Sequence, residues 1–216
     1  MTKPVERSNR FPWWGWLIVI AGFAVPPILI TRWMEPETAD QGKIAAIVDD
    51  PEAPVIGPAD GDVTIVVYTD YRCPVCRRTE RAIAAVMATD PKLRMMVKDW
   101  PILTQESRRA AEAALAARWQ GRYPSFHHAL MVAPGPLDDA SIAAIARSVG
   151  LDPARLAADV DARAVDIADR LNRVTEEASE LKLPGTPGIL IGPFLVRGGM
   201  TEDQIRKTVA EVRKMG

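Results

Sequence analysis

The chain contains two cysteines, and both lie in one short segment, Cys73-Pro74-Val75-Cys76. The segment follows an apolar run and begins a helical pattern, so both sulfurs would lie on one face of the first helical turn. Unpaired N–H groups and the positive end of the helix dipole favour a thiolate at that position. The spacing therefore indicates either a redox-active dithiol or half of a metal site. Since the chain has no third cysteine, a network of structural disulfides is excluded.

Each residue of this segment has an expected role on physical grounds. Cys73 would be the exposed nucleophile at the helix N-terminus, because thiol exchange requires a thiolate to attack a disulfide sulfur. Cys76, three residues later and more buried, would be the resolving thiol. Pro74 suits the first helical position, where its missing N–H would have no partner in any case. Arg72 and Arg77 flank the pair and either lower the pKa of Cys73 further or are solvated surface charges.

A metal site is the alternative use of the cysteine pair. Zinc would need two further ligands, and the histidines of the chain are the adjacent His127 and His128. Neighbouring helical residues point about 100° apart, so these two would not easily join one tetrahedral site. We therefore expect packing and surface roles for both histidines. Transient capture of copper or zinc by the bare dithiol stays open, and protection of the cysteines from alkylation by metal would favour it.

The elements that must position the cysteines follow from the hydrophobic pattern. Residues 63–68 form a β-branched run typical of a buried strand, and residues 93–97 predict a second strand. Residues 105–183 are rich in alanine and strongly helical in pattern. Two short strands, 188–192 and 194–196, follow around a Gly-Pro turn and predict a hairpin. With a final helix after Thr201, the order predicts an α/β sheet with a helical insertion.

The N-terminal region predicts a membrane anchor. Residues 11–30 are 20 consecutive uncharged positions with tryptophans at one end and Trp33 just beyond the other. A helix of that length covers the hydrocarbon core of a bilayer, which is roughly 30 Å thick. Basic residues precede the run and acidic residues follow it, so the positive-inside rule places the N-terminus in the cytosol. A signal peptide cleaved near residues 22–24 is the alternative, and it would also export the rest of the chain.

These observations divide the chain into four parts. We expect a cytosolic tail at 1–10, a single transmembrane helix at 11–31, a spacer at 32–54 and a folded domain at 55–216. The charged residues are nearly balanced, with 27 Lys and Arg against 28 Asp and Glu. Nothing in this composition indicates a nucleic-acid partner.

Four segments together resemble the DsbA-like branch of the thioredoxin superfamily. Residues 68–76 (YTDYRCPVC) look like its strand and active-site turn, and residues 97–103 (VKDWPIL) look like the end of its next strand. Residues 126–131 (FHHALM) are similar to part of its helical insertion. Residues 185–188 (GTPG), with Gly192 and Gly198-Gly199, look like the loop that carries its cis-proline. The resemblance extends from about Val55 to the C-terminus, about three quarters of the chain.

The resemblance implies a thioredoxin-like fold with an inserted helical domain at about 105–183. It also implies a cis peptide bond at Thr186-Pro187, which would leave the Thr186 backbone free to pair with an extended client chain. Pro74 and Val75 would modulate the active site. A proline after the first cysteine resembles the oxidising branch, whereas Val75 replaces the histidine of the strongest oxidants.

One position departs from the family pattern. Many relatives carry a buried carboxylate used in proton transfer six residues before the first cysteine, and here that position is Val67. Asp70 is expected in the loop, and Lys98 could reach beneath the sheet. No acid–base residue is assigned to Cys76 on this basis.

The resemblance, together with the predicted anchor, implies a membrane-anchored, extracytoplasmic thiol:disulfide oxidoreductase. Its redox centre would be the Cys73–Cys76 pair, with no cofactor and no bound metal. Its partners would be exported, cysteine-containing proteins, a membrane redox partner that resets the pair, and lipid around the N-terminal helix. Of the two directions of thiol–disulfide exchange, we favour oxidation, in which the enzyme introduces disulfides into client proteins in the periplasm. A dedicated reductase for one exported client is the alternative, since a membrane tether suits that function as well.

Overall fold

The computed structural model describes residues 37–38 and 41–215. The predicted cytosolic tail and transmembrane helix, 1–10 and 11–31, lie outside the described residues. Within the described ranges, no helix is both long and apolar enough to cross a membrane.

A mixed sheet forms the centre of the described fold. Its strands are β1 (Glu37–Thr38), β2 (Val55–Ile56), β3 (Val63–Thr69), β4 (Leu93–Asp99), β5 (Gly188–Ile191) and β6 (Phe194–Val196). Their order across the sheet is β1-β6-β5-β3-β4-β2. The central strands β3 and β4 are parallel, and the other neighbouring pairs are antiparallel. The strand β3 is almost wholly buried, as its β-branched sequence predicts, and β5 and β6 form the predicted hairpin.

Helices surround this sheet and also form the insertion. They are α1 (Gln41–Val48), α2 (Pro74–Met87), α3 (Gln105–Ala116), α4 (Tyr123–Val132), α5 (Asp139–Ser148), α6 (Pro153–Ala162), α7 (Ala164–Glu180) and α8 (Glu202–Met215). The crossover from β3 to β4 is α2. Helices α3 to α7 lie between β4 and β5 in the chain, so the predicted α/β fold with a helical insertion is confirmed.

The alternating side chains of the central strands divide the core into two layers. On one face, Val67 and Val97 belong to a cluster with Ile83 and Val86 of α2. On the other face, residues such as Tyr68 and Met96 pack with α1 and α7. Helix α2 therefore covers the first face of the sheet, and Cys76, which lies on α2, belongs to that side. Lys98 pairs in register with Tyr68 and belongs to the opposite face.

Part of the stretch predicted as a spacer is structured. Helix α1 lies within 32–54, and its Ile44 and Ile47 are only 8% and 6% exposed. Ala53 is buried in the same cluster, and Asp50 forms ion pairs with Lys98 and Arg170. Residues 41–54 thus contribute to the second core layer.

Candidate functional site

The cysteine pair lies where the central strand passes into α2. Strand β3 ends at Thr69, and the Cys73 N–H donates to the Asp70 carbonyl at 3.0 Å across the turn. Cys73 is the N-cap of α2, and its sulfur accepts a hydrogen bond from the Cys76 N–H at 3.2 Å. Pro74 occupies the first helical position, as predicted. Both cysteines are free thiols, so this geometry is that of the reduced pair.

The two thiols differ in accessibility and in acidity. Cys73 is 4% exposed and Cys76 is 0% exposed, so Cys73 is less open to solvent than the sequence predicted. Hydrogen bonds from the Cys76 thiol, from the N–H groups of Cys76 and Val75 and from the Thr186 side chain lower the pKa of Cys73 to about 6. The neighbouring Cys73 and burial raise the pKa of Cys76 above its ordinary value. The pair therefore holds its negative charge on Cys73.

The loop before β5 covers the cysteine pair. The Thr186-Pro187 peptide bond is cis, as the family resemblance implies. The Cys73 sulfur lies 3.5 Å from the Thr186 carbonyl oxygen, to which its thiol donates. This contact places the Thr186 backbone directly beside the sulfur with the lower pKa.

A second loop approaches α2 from the hairpin side. A Cβ atom at Gly199 would lie 2.7 Å from Val75 Cγ1 and 2.9 Å from Thr79 Oγ1, so this close approach requires glycine. The next residue, Met200, donates its N–H to Thr79 Oγ1 at 3.3 Å. Val75 is therefore fixed against the Gly198-Gly199 segment.

Asp70 is buried and holds the active-site turn in place. Its Oδ1 accepts hydrogen bonds from the Arg72 N–H at 2.7 Å and the Ser107 hydroxyl at 2.7 Å. Its Oδ2 accepts from the N–H groups of Ile102 and Leu103 at 2.9 and 3.0 Å. The first of these contacts closes the turn itself, and the other three connect it to the loop after β4 and to α3, so Asp70 is a structural residue.

Arg72 and Arg77 also connect the turn to the insertion. Arg72 forms an ion pair with Glu106 at 3.0 Å and donates to the Gly135 carbonyl. Arg77 donates to the carbonyls of Tyr71 at 2.8 Å and Ala133 at 2.5 Å. The sequence suggested that these arginines either lower the pKa of Cys73 or are solvated surface charges. Neither interpretation is complete, because both guanidinium groups bind acceptors within the protein.

Lys98 reaches beneath the sheet but on the face away from Cys76. It is fully buried, and its Nζ lies 2.7 Å from Asp50 and 2.9 Å from Glu177. Tyr68 donates to the same glutamate at 3.1 Å. This cluster belongs to the second core layer and is separated from the cysteines by the sheet.

A buried polar cluster on the cysteine side of the sheet was missed by the sequence analysis. We define it as the Glu80 cluster, which consists of Thr69, Tyr71, Glu80, Asp99, Tyr123 and His127. The sequence carried one relevant pattern: Glu80 lies four residues after Cys76 and therefore on the same face of α2. Nothing in the sequence indicated that His127, from the insertion, would pair with it.

The two histidines point in different directions, as predicted. His127 is buried at 1% exposure, whereas His128 is exposed. Among the described residues, no group of three or more His, Cys, Asp or Glu side chains is placed to hold a metal ion.

The fold of this chain is similar to that of known thioredoxin-like proteins. The family model described as thioredoxin matches residues 49–211, and the chain therefore belongs to the thioredoxin family. A thioredoxin-like oxidoreductase from Silicibacter pomeroyi DSS-3 is 38% identical, with a TM-score of 0.74 over 82% of this chain and 99% of that one. The thiol-disulfide exchange protein alpha-DsbA2 from Wolbachia pipientis is 29% identical, with a TM-score of 0.73 over 80% and 95%. Within the family, this chain is a DsbA-like thiol:disulfide oxidoreductase.

The curated relatives that match this chain are much longer proteins named as Na(+)/H(+) antiporters. An Na(+)/H(+) antiporter NhaA 1 from Mycolicibacterium gilvum is 28% identical over 172 residues, which are 78% of this chain. That match covers 28% of the antiporter, so the chain spans about a quarter of the length of the curated relatives that it matches.

Proposed function

We propose that this oxidoreductase introduces disulfides into exported proteins through the Cys73–Cys76 pair. The observation that carries the proposal is the place of Cys73 as the N-cap of α2, where its sulfur accepts the Cys76 N–H at 3.2 Å and its pKa is lowered to about 6. Stabilising the thiolate stabilises the reduced form of the pair, and a stable reduced form makes the disulfide form a better oxidant. The proline after the first cysteine, Pro74, supports the same direction by its resemblance to the oxidising branch.

In this mechanism a client thiolate attacks the Cys73 sulfur of the oxidised pair. The Cys73–Cys76 bond breaks, and Cys76 leaves with the electron pair, so a mixed disulfide joins the client to Cys73. A second client thiolate then attacks the client sulfur of that mixed disulfide. The client gains a disulfide, Cys73 leaves as a thiolate, and the pair has gained two electrons. A membrane redox partner would reoxidise the pair, and no other cofactor is needed.

The Thr186-Pro187 loop is the proposed binding site for the client backbone. The Thr186 carbonyl lies 3.5 Å from the Cys73 sulfur, so an extended client segment that pairs there would have its cysteine next to Cys73. Main-chain pairing of this kind does not depend on client side chains. It suits an enzyme that acts on many exported proteins.

We also propose that the enzyme acts outside the cytoplasm, in the periplasm, and is anchored by residues 11–31. The support is the uncharged run with its flanking charges and tryptophans. The retained anchor and the cleaved signal peptide make different predictions for full-length protein expressed in a bacterium. We expect an intact N-terminus and retention in the membrane fraction after an alkaline wash. Release of a shortened protein into the periplasmic fraction would contradict the anchor.

Trapping of mixed disulfides tests the roles of the two cysteines. In Cys76→Ser, Cys73 can attack but no resolving thiol is present, so we expect disulfide-linked complexes on non-reducing gels. The matched control is the double variant with Cys73→Ser as well, which should trap none. If Cys76→Ser forms no complexes and the wild type exchanges no electrons with a model dithiol peptide, the proposed function is wrong.

A further inference from the structure

Cys76 must exchange a proton in a place that water does not reach. Its side chain is 0% exposed, and the neighbouring Cys73 together with burial raises its pKa. When Cys76 leaves the disulfide it becomes a buried thiolate, and when it attacks a mixed disulfide it must first lose its proton. An isolated buried charge is costly, so a proton donor and acceptor near this sulfur would speed both steps.

Three residues that could meet this need do not. Val67 occupies the position of the family's carboxylate and has no titratable group. Asp70 uses both carboxylate oxygens in four hydrogen bonds to other groups. Lys98 lies on the opposite face of the sheet, in ion pairs with two carboxylates.

The Glu80 cluster is the buried titratable group on the correct face. Glu80 Oε2 lies 2.6 Å from His127 Nε2, and Glu80 Oε1 accepts the Thr69 hydroxyl at 2.7 Å. The other imidazole nitrogen, His127 Nδ1, is 2.8 Å from the Tyr71 hydroxyl. The Tyr123 ring stacks on His127 with centroids 5.5 Å apart, and its hydroxyl donates to Asp99 at 2.8 Å.

Helical spacing and chain position place this cluster on the same side of the sheet as Cys76. Glu80 lies one helical turn after Cys76 on the buried face of α2. Thr69, the last residue of β3 before the active-site turn, donates its hydroxyl to Glu80 Oε1 at 2.7 Å. The cysteine and the carboxylate thus lie one helical turn apart on the buried face of α2, and the carboxylate binds the last residue of β3.

The cluster also has a connection to solvent. Glu80 and His127 both line a cavity of about 510 Å³ between α2 and α4. Its wall includes the exposed residues Arg81 and His128. A proton held by the pair can therefore exchange with water without passing Cys73 or a bound client.

The charges around His127 favour a proton on the pair at neutral pH. Burial alone would lower the pKa of His127, but the charges of Glu80 and Asp99 raise it above its ordinary value. The titratable or charged groups that face the pair are Arg77 and Arg81 of α2, Tyr71 of the turn, Asp99 of β4, and Tyr123 and His128 of α4.

We propose that the Glu80–His127 pair is the proton-exchange group of Cys76. When a client thiolate displaces Cys76, the protonated pair gives its proton to the Cys76 thiolate and then regains one through the cavity. When Cys76 attacks a mixed disulfide at Cys73, its proton passes to the pair, the new Cys76–Cys73 bond forms, and the client sulfur leaves with the electron pair. In both directions the buried region keeps the same total charge during the transfer, which avoids a second buried ion.

This inference rests on the proposed role of Cys76 as the resolving thiol. Its test is the isosteric variant Glu80→Gln in the full chain, with Glu112→Gln on the surface of α3 as the matched control. The measurement is the single-turnover rate of disulfide exchange with a model dithiol peptide between pH 5 and 9. General acid–base catalysis is worth about 10²–10⁴-fold, so we expect a loss of at least tenfold at pH 7 and a pH profile without the His127 transition. Alkylation of Cys73 should keep its wild-type pH midpoint.

A second variant keeps the proposal testable if Glu80→Gln does not fold. Tyr71→Phe removes the hydroxyl at His127 Nδ1 but leaves the Glu80–His127 contact, so it should shift the midpoint of the pH profile while most of the rate is retained. Thermal unfolding of each variant shows whether it is folded. A folded Glu80→Gln protein with a rate within twofold of wild type and an unchanged profile overturns the proposal, as does an unshifted profile in Tyr71→Phe. Mixed-disulfide trapping by Cys76→Ser would still stand, so this failure is distinguishable from failure of the proposed function.

Discussion

At the residue scale, the chemistry depends on an unequal pair of thiols. The first turn of α2 directs the Cys76 N–H at the Cys73 sulfur, and the Thr186 loop closes over it. The same turn buries Cys76 beneath the strand end. The two sulfurs are three residues apart and yet have pKa values displaced in opposite directions.

The acidity of Cys73 leads to a prediction for alkylation. The rate of reaction of reduced protein with iodoacetamide should follow the Cys73 thiolate, with a midpoint near pH 6. Mass spectrometry of the product should find the label on Cys73. In Cys76→Ala the midpoint should rise, because no side chain at that position donates a hydrogen bond to Cys73. A wild-type midpoint near the ordinary cysteine value, about 8.5, would contradict the stabilised thiolate.

The same shift predicts how the stability of the reduced protein depends on pH. The folded-state pKa of Cys73 lies below its ordinary value, so the unfolded chain binds more protons between the two values. This contribution to the free energy of unfolding is present above about pH 9 and is lost as the pH falls through about 6. Urea unfolding of reduced wild type and Cys73→Ser should therefore show a difference that grows between pH 6 and 9. A constant difference would contradict the account.

At the element scale, three side chains attach the active-site turn to the insertion. Asp70 binds the loop after β4 and the start of α3, while Arg72 and Arg77 bind acceptors in and beyond α4. The position of the cysteines thus depends on elements far away in the chain.

The isosteric variant Asp70→Asn tests this attachment. The amide nitrogen of asparagine cannot accept a hydrogen bond, so at least one buried donor loses its partner, which costs about 1–3 kcal/mol for each such group. We expect the free energy of unfolding of the reduced protein to fall by roughly 2–4 kcal/mol in urea. Asp139→Asn, on the exposed start of α5, is the matched control and should change it by less than about 0.5 kcal/mol. Equal effects of the two variants would show that the Asp70 contacts are not structural.

The elements of the fold could largely be predicted from the sequence, but their contacts could not. The β-branched run of β3 and the Gly-Pro turn between β5 and β6 have strong local patterns. Helix α1 lies in the stretch predicted as a spacer, because its burial depends on α7 and not on its own sequence. The Glu80–His127 contact joins residues 47 positions apart, and only the packing of α4 against α2 creates it.

At the scale of the whole molecule, the sheet separates two buried polar clusters. The Glu80 cluster lies with the cysteines, and the Lys98 cluster lies with α1 and α7. Burial would raise the pKa of Asp50, but hydrogen bonds from Lys98 and Arg170 outweigh it and lower the pKa to about 2. Asp50 thus joins the segment before β2 to the rest of the fold.

Removal of the Asp50 charge should destabilise the protein without changing its chemistry. Asp50→Asn leaves the buried Lys98 with one carboxylate instead of two, and we expect a loss of roughly 2–4 kcal/mol in the free energy of unfolding. The lowered pKa means that this stabilisation is present above about pH 4 and disappears as the pH falls through about 2. The neighbouring exposed variant Asp49→Asn is the matched control. Stability equal to that of the control at pH 7 would show that residues 49–54 are a spacer after all.

The reduction potential of the Cys73–Cys76 pair tests the central claim most directly. It can be measured by equilibrating the full chain with glutathione buffers and quantifying the dithiol and disulfide forms. DsbA lies near −120 mV and thioredoxin near −270 mV. A disulfide-introducing enzyme with a stabilised Cys73 thiolate should have a potential above about −200 mV, on the DsbA side of this range. A potential below that value, close to that of thioredoxin, would contradict the oxidase and identify a reductase.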